Sequence, residues 1–257
     1  MRLAVSELEG FYASPLGAVA EASLRRRLIE AWGEADRLRV AGFGYTQPYL
    51  DAFTGAERMV AMSPAGAGVR AGGIVPSCLV SESAWPLPDA SIDRLLIMHG
   101  LEETGDPRRL LREAWRVLTD DGLMIVAVAN RRGPWSMVET SPFAAGKPYS
   151  RRQLDEVLKA AMFGPTAHAT ALYFPPLNNR ALLRVAPTWE RLGATIDEWR
   201  LPPIFPNLAG VNLVEARKLT ALPISGSKAE VFRPGILMPG NLGRATPAGR
   251  TAQRKDR

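Results

Sequence analysis

Apolar positions recur at helical spacing over residues 14–32. Leu16, Val19, Leu24, Leu28 and Trp32 share one side, and Arg25, Arg26 and Arg27 take the other. Ser14 before Pro15 predicts the start of that helix, because serine caps and proline suits the first turn. A different rhythm follows. Arg37 to Ala41 predicts a first strand, Arg58 to Met62 a second that ends at Ser63-Pro64, and Ile74 to Ser81 a third. Ile92 to Met98 predicts a fourth strand, apolar enough to be buried on both faces as parallel strands are. Leu123 to Ala129 predicts a fifth. Between them, Pro48 to Phe53 opens a helix, Pro107 to Leu118 places Leu110, Leu111, Ala114 and Val117 on one face, and Thr119 to Gly122 reads as a turn. Ser150 to Met162 predicts a capped helix. Thr170 to Tyr173 and Val211 to Ala216 read as late strands, with a helix near Thr188 to Leu192. Strands alternating with helices predict an α/β fold, a parallel sheet covered by helices on both faces.

Composition narrows the setting. At 257 residues and 46% hydrophobic, one domain with a full core is the expectation. The single cysteine, Cys78, excludes an intramolecular disulfide and fits a reducing cytoplasm. The longest apolar run, Leu123 to Ala129, is far below the ~18–20 residues that span a bilayer. Acids near the N-terminus argue against an export signal. The net charge of +6 suggests nucleic acid until it is located. Arg233, Arg244, Arg250, Arg254, Lys255 and Arg257 face a single acid, Asp256, in a Pro- and Gly-rich tail. We therefore expect a globular body over 1–232, with an N-terminal helical region over 1–36, and a disordered basic tail over 233–257. A near-neutral body argues against nucleic acid as a partner.

Chemistry concentrates after the first strand. Ala41-Gly-Phe-Gly-Tyr-Thr46 reads as a strand running into a glycine turn and a helix start, where backbone approaches a ligand closely. The segment Glu82-Ser-Ala-Trp-Pro-Leu-Pro-Asp-Ala-Ser-Ile-Asp93 is followed by Leu95-Leu-Ile-Met-His-Gly-Leu-Glu102. Together with Arg112 to Leu123 and Pro148-Tyr-Ser-Arg-Arg-Gln-Leu154, this resembles class I S-adenosylmethionine-dependent methyltransferases, in the small-molecule branch often called type 11. The resemblance covers about residues 10 to 220 and implies a Rossmann-like, seven-stranded, mostly parallel sheet with an antiparallel last strand. It also implies S-adenosylmethionine as cofactor and a small-molecule acceptor as partner, with no membrane span. A protein partner or homodimer is compatible with it. A non-catalytic relative that keeps the fold is the second reading.

On that resemblance, Gly42, Phe43, Gly44 and Tyr45 form the cofactor loop, with Thr46 where the family has a third glycine. Met62 and Ser63 end the second strand, where an acid usually takes the ribose hydroxyls; a serine there offers one hydrogen bond, a loss of ~1–3 kcal/mol in affinity. Glu57 lies at the wrong end of that strand. Ser81, Glu82 and Ser83 match the adenine stretch. His99 ends the fourth strand and is a cofactor contact, a substrate-orienting base, or a satisfied buried histidine. Asn130 and Arg131, with Arg132, stand at the same edge as substrate contacts or a solvated turn. Tyr45 and Trp85 stack on a ligand ring or pack in the core; Gln47 is a further ribose candidate. Cys78 reads as core and His168 as structural or exposed. The N-terminal helix and the region 143–176 would shape the acceptor pocket. Two scattered histidines give no metal spacing, and neither a GxSxG elbow nor a phosphate loop is present.

Overall fold

A computed structural model describes residues 2–69, 72–179, 183–186, 188–190 and 209–219. The tail expected at 233–257 and residue Leu192 of the late helix lie outside them. The chain begins with two helices, α1 (Val5–Tyr12) and α2 (Pro15–Trp32). It then runs β1 (Arg39–Gly44), α3 (Gln47–Leu50), β2 (Arg58–Pro64), β3 (Ser77–Val80) and β4 (Ile92–Met98). α4 (Pro107–Val117), β5 (Leu118–Ala129), α5 (Arg151–Ala160), β6 (Phe163–Ala171) and β7 (Val211–Lys218) follow. Residues 183–186 and 188–190 are helical; 188–190 fall within the late helix expected near 188–192, and 183–186 precede it.

The helix ends follow the local chemistry. Ser14 Oγ accepts from Gly17 N at 3.0 Å to start α2. The Asp106 carboxylate accepts from the amides of Arg108 and Arg109 to start α4. Ser150 and Gln153 form a reciprocal capping box on α5.

The sheet order is β3-β2-β1-β4-β5-β7-β6. β1 to β5 pair in parallel, and β7 runs antiparallel to both β5 and β6. The sheet separates two cores, and strand alternation decides which side chain joins which. Leu96 and Met98 face the core under α1 and α2 with Leu8, Leu24, Leu28 and Phe53. Leu95 and Ile97 face the core under α4 and α5 with Leu110, Leu111, Leu154 and Leu158. The strand order reverses between β1 and β4, so their C-terminal ends open the crevice where such sheets hold ligands.

Several boundaries differ from expectation. β1 begins at Arg39 and runs through Gly42 and Phe43 to Gly44, so those glycines belong to the strand. α3 covers Gln47–Leu50 alone. β2 continues through Ser63 to Pro64, and β3 shrinks to Ser77–Val80 with Ile74 84% exposed. Thr119 to Gly122 bulge inside β5, between the Ile92–Leu118 and Arg94–Leu123 pairs. β6 starts at Phe163, ahead of the expected Thr170, because its antiparallel ladder to β7 carries the polar and Pro-containing first half.

Candidate functional site

The crevice is built by the turn after β1. Gly44 has φ +96, and a Cβ there would overlap the carbonyl of Met98 on β4. This close approach lets Tyr45 N donate to Met98 O at 2.9 Å, so β1 and β4 are joined at their tips. Above Gly42 the hollow is filled from within: a Cβ there would overlap the side chain of Thr46. Phe43 points to the opposite core and stacks on Trp85 at 5.1 Å and 21°. Met62 is fully buried in that same core. Trp85 is therefore a packing residue, held by its own backbone.

At the end of β2, Ser63 lines a cavity of about 10 Å³ with Val5, Gly44, Tyr45, Thr46, Gln47, Ala61 and Ser77. That is room for about one water. Gln47 Nε2 donates to the carbonyls of Gly72 and Val75, both at 2.9 Å. Its Oε1 and the Thr46 hydroxyl are buried without a hydrogen-bond partner. Two orphaned polar groups beside Ser63 are the chemistry that ribose hydroxyls satisfy. These polar groups suit the hydroxyls of an adenosyl group, which Gln47, Thr46 and Ser63 would hold.

His99 sits at φ +50, buried, at the tip of β4. Its Nε2 and the Tyr12 hydroxyl of α1 share a 2.7 Å hydrogen bond, and its ring lies 4.8 Å from that of Phe143. Burial pulls its pKa down to about 4, so the imidazole is neutral at pH 7. The Tyr12 ring stacks on Tyr45 at 5.2 Å and 7°, and burial raises its phenol far above the ordinary value. Three residues on from His99, Glu102 reaches the end of β5. Glu102 Oε1 accepts from Ala129 N at 3.0 Å, while Oε2 is buried without a partner. Burial pushes this carboxyl up to about 7.

The other candidates spread along the edge. Glu82 is engaged at both oxygens, by Arg2 and by the Thr104 hydroxyl at 2.6 Å, while Ser81 and Ser83 are exposed. Asn130 is buried; its Nδ2 donates to Ala209 O at 2.8 Å and its Oδ1 accepts from Arg132 N at 3.2 Å, so the side chain is committed to the backbone. Arg131 and Arg132 face solvent. Cys78 is half-buried on β3, where burial raises its thiol, and His168 pairs with Asp155 at 2.8 Å. A larger cavity, about 330 Å³, opens between α1 and the segment 139–145. Leu3, Glu7 and Phe11 line one wall, and Glu139, Ser141 and Pro142 the other.

Sequence reasoning placed a helical region over 1–36 but did not resolve α1 within it or single out Tyr12 and Arg2. The signal was present: Val5, Leu8 and Tyr12 recur at helical spacing and are all buried. It also missed Glu190, a buried carboxylate that accepts from Ser23 Oγ at 2.7 Å and Tyr173 N at 2.6 Å.

Known proteins share this architecture. Residues 41–126 match a family model described as a methyltransferase domain. The YafS protein of Escherichia coli (strain K12) is 38% identical over 154 residues, 56% of this chain and 57% of its own length. The chain thus spans just over half of that curated relative. A Thermotoga maritima S-adenosylmethionine-dependent methyltransferase, described as a possible histamine N-methyltransferase, superposes with a TM-score of 0.57 at 16% identity. The alignment covers 83% of this chain and 95% of that one. The [4+2]-cyclase SpnF gives a TM-score of 0.52 at 19% identity over 77% of this chain and 80% of its own. The geranyl diphosphate C-methyltransferase of Streptomyces coelicolor A3(2), solved with S-adenosyl-L-homocysteine, gives 0.53 at 16% over 76% and 75%.

Proposed function

We propose that this chain, whose fold and methyltransferase domain are those of the class I S-adenosylmethionine-dependent methyltransferases, transfers a methyl group to a small-molecule acceptor. The supporting observation is the pair of orphaned polar groups, Thr46 Oγ1 and Gln47 Oε1, buried beside Ser63 at the tip of β2. S-adenosylmethionine held there would supply an electrophilic sulfonium methyl, with a neutral thioether as the leaving group, to a lone pair on the acceptor. The chain's own part is placement and exclusion of water. Gln47, Thr46 and Ser63 hold the ribose end. Tyr45 and neutral His99 border the methyl-donor end. Leu3, Phe11 and Pro142 offer an apolar acceptor wall in the 330 Å³ cavity, with Glu7 and Glu139 at its polar side. For an acceptor whose lone pair is already available, such as an amine, a carboxylate or a thiolate, no strong base is required.

The test is product formation. S-adenosylhomocysteine should accumulate when the protein is given S-adenosylmethionine and a panel of small phenols, amines, carboxylic acids and thiols that fit about 330 Å³. No product above the no-acceptor control with any class, in a protein that still binds S-adenosylhomocysteine, would contradict catalysis and leave the binding protein. One observation favours that second reading: Thr46 fills the hollow above Gly42 from within. The SpnF cyclase shows that this architecture is not confined to proteins described as methyltransferases.

A further inference from the structure

α1 lies along the whole ligand edge of the sheet. Near its start, the Arg2 guanidinium pairs with Glu82 and Glu103, beyond the tips of β3 and β4. Val5 N donates to Ala67 O at 2.7 Å, and its side chain lines the small cavity at Ser63. At its other end, Tyr12 stacks on Tyr45 and shares its hydrogen bond with His99. Arg2 and the helix that follows it therefore contact the adenine stretch, the ribose position and the donor end in succession. Beneath it, the space at the glycine turn is about 10 Å³, against the roughly 300 Å³ or more that a cofactor-sized ligand needs. The polar groups suit an adenosyl ligand; the volume does not.

On its other side, Leu3, Glu7 and Phe11 face the 330 Å³ cavity. Phe11 and Phe143, 6.4 Å apart, stand between that cavity and His99. Ala13 and Ser14 join α1 to α2, and Gly17 of α2 packs against the backbone of Phe11 and Tyr12. The Ser14 hydroxyl caps Gly17 N on the α2 side of that joint, so a turn at Ala13 breaks the α1–α2 packing without unwinding α2.

We propose that α1 is a lid seated in the cofactor trough, and that ligand entry requires it to swing out about Ala13–Ser14, which joins the trough to the acceptor cavity. This rests on the cofactor reading above. Arg2 and Tyr12 are the two latches. Ligand binding works against the closed helix, so its apparent affinity is the intrinsic one multiplied by the fraction of molecules open.

Amide hydrogen exchange of the full chain with and without millimolar S-adenosylhomocysteine tests this. The lid predicts opposite signs: amides of residues 5–12 exchange several-fold faster with ligand, and those of 44–50 slower. Protection of both segments, or of 44–50 alone, would overturn the lid and make α1 a fixed wall, with the cofactor reading intact. No change in either segment would remove the cofactor reading and the lid with it. Tyr12→Ala provides a second measure by calorimetry. A folded variant should bind S-adenosylhomocysteine about tenfold more tightly, because one latch is gone. Equal or weaker binding by a folded variant would overturn the lid, and the exchange experiment stands if that variant does not fold.

Discussion

Glu102 is a buried carboxyl with one unpartnered oxygen, and burial sets its protonation. Its carboxyl titrates near 7 in the fold against 4.5 unfolded, so the folded state holds a proton that the unfolded chain releases between those values. Stability is therefore lost as pH rises from about 4.5 to 7. His99 acts in the opposite sense: the unfolded imidazole takes a proton that the buried one refuses, so stability is lost as pH falls from 6.5 to about 4. Between about 4.5 and 6.5 the two slopes oppose each other. Glu102→Gln removes one of them. Denaturant unfolding should show the variant gaining on the native chain by on the order of 2 kcal/mol more at pH 8 than at pH 5. An equal difference at both pH values would contradict the buried-carboxyl account. In the turn after β1, Thr46→Val, which removes the hydroxyl from the hollow above Gly42 and keeps its bulk, should weaken S-adenosylhomocysteine severalfold by calorimetry. Unchanged affinity would show that the hollow is not part of the site. The type of residue at each candidate position could be read from the sequence. Its engagement could not: the Asn130 amide is bonded to Ala209, and Arg2 reaches Glu82 from 80 residues away.

At the scale of elements, the loop from Trp85 to Ser91 shows how a sequence motif becomes a fixed shape. Arg116 on α4 donates to the carbonyls of Trp85 and Leu87, at 3.0 and 2.8 Å, and pairs with Asp89 and Glu113. Glu113 in turn accepts from Trp85 N at 2.8 Å, and the Arg116 partnership holds its carboxyl below the usual range. One guanidinium thus clamps the stretch between β3 and β4 onto α4. Arg116→Ala should lower stability by about 1.5–3 kcal/mol, because it leaves buried carbonyls and Glu113 without their charged donor. A loss below about 0.5 kcal/mol in denaturant unfolding would show that the clamp is only a surface pairing. The elements with regular periodicity were legible: α2, α4, α5 and β4 fall within a residue or two of expectation. α1 was not resolved as its own helix within the expected N-terminal helical region, because eight residues give few repeats and Ser14-Pro15 looked like the first start. The early half of β6 was missed because Gly164, Pro165 and Thr166 carry turn chemistry that only the ladder to β7 overrides. Thr119 to Gly122 kept their turn character, but as a bulge within a continuous strand.

For the whole molecule, strand alternation with helices was enough to anticipate the parallel sheet, and the resemblance supplied its antiparallel last strand. The reversal between β1 and β4 follows from the order of pairing, and it sets the crevice at Tyr45 and His99. What composition could not show is that the N-terminal segment folds back across that crevice. Tertiary contacts of residues about 80 to 100 apart, Arg2 to Glu82 and Tyr12 to His99, leave no periodic trace. The account depends on one property of the assembled edge, that Thr46, Gln47 and Ser63 hold an adenosyl ligand. Isothermal titration of the purified full chain with S-adenosylhomocysteine measures it most directly. One saturable site with a dissociation constant below about 1 mM is the predicted result. Absence of heat and of any thermal stabilisation at several millimolar ligand would contradict the account.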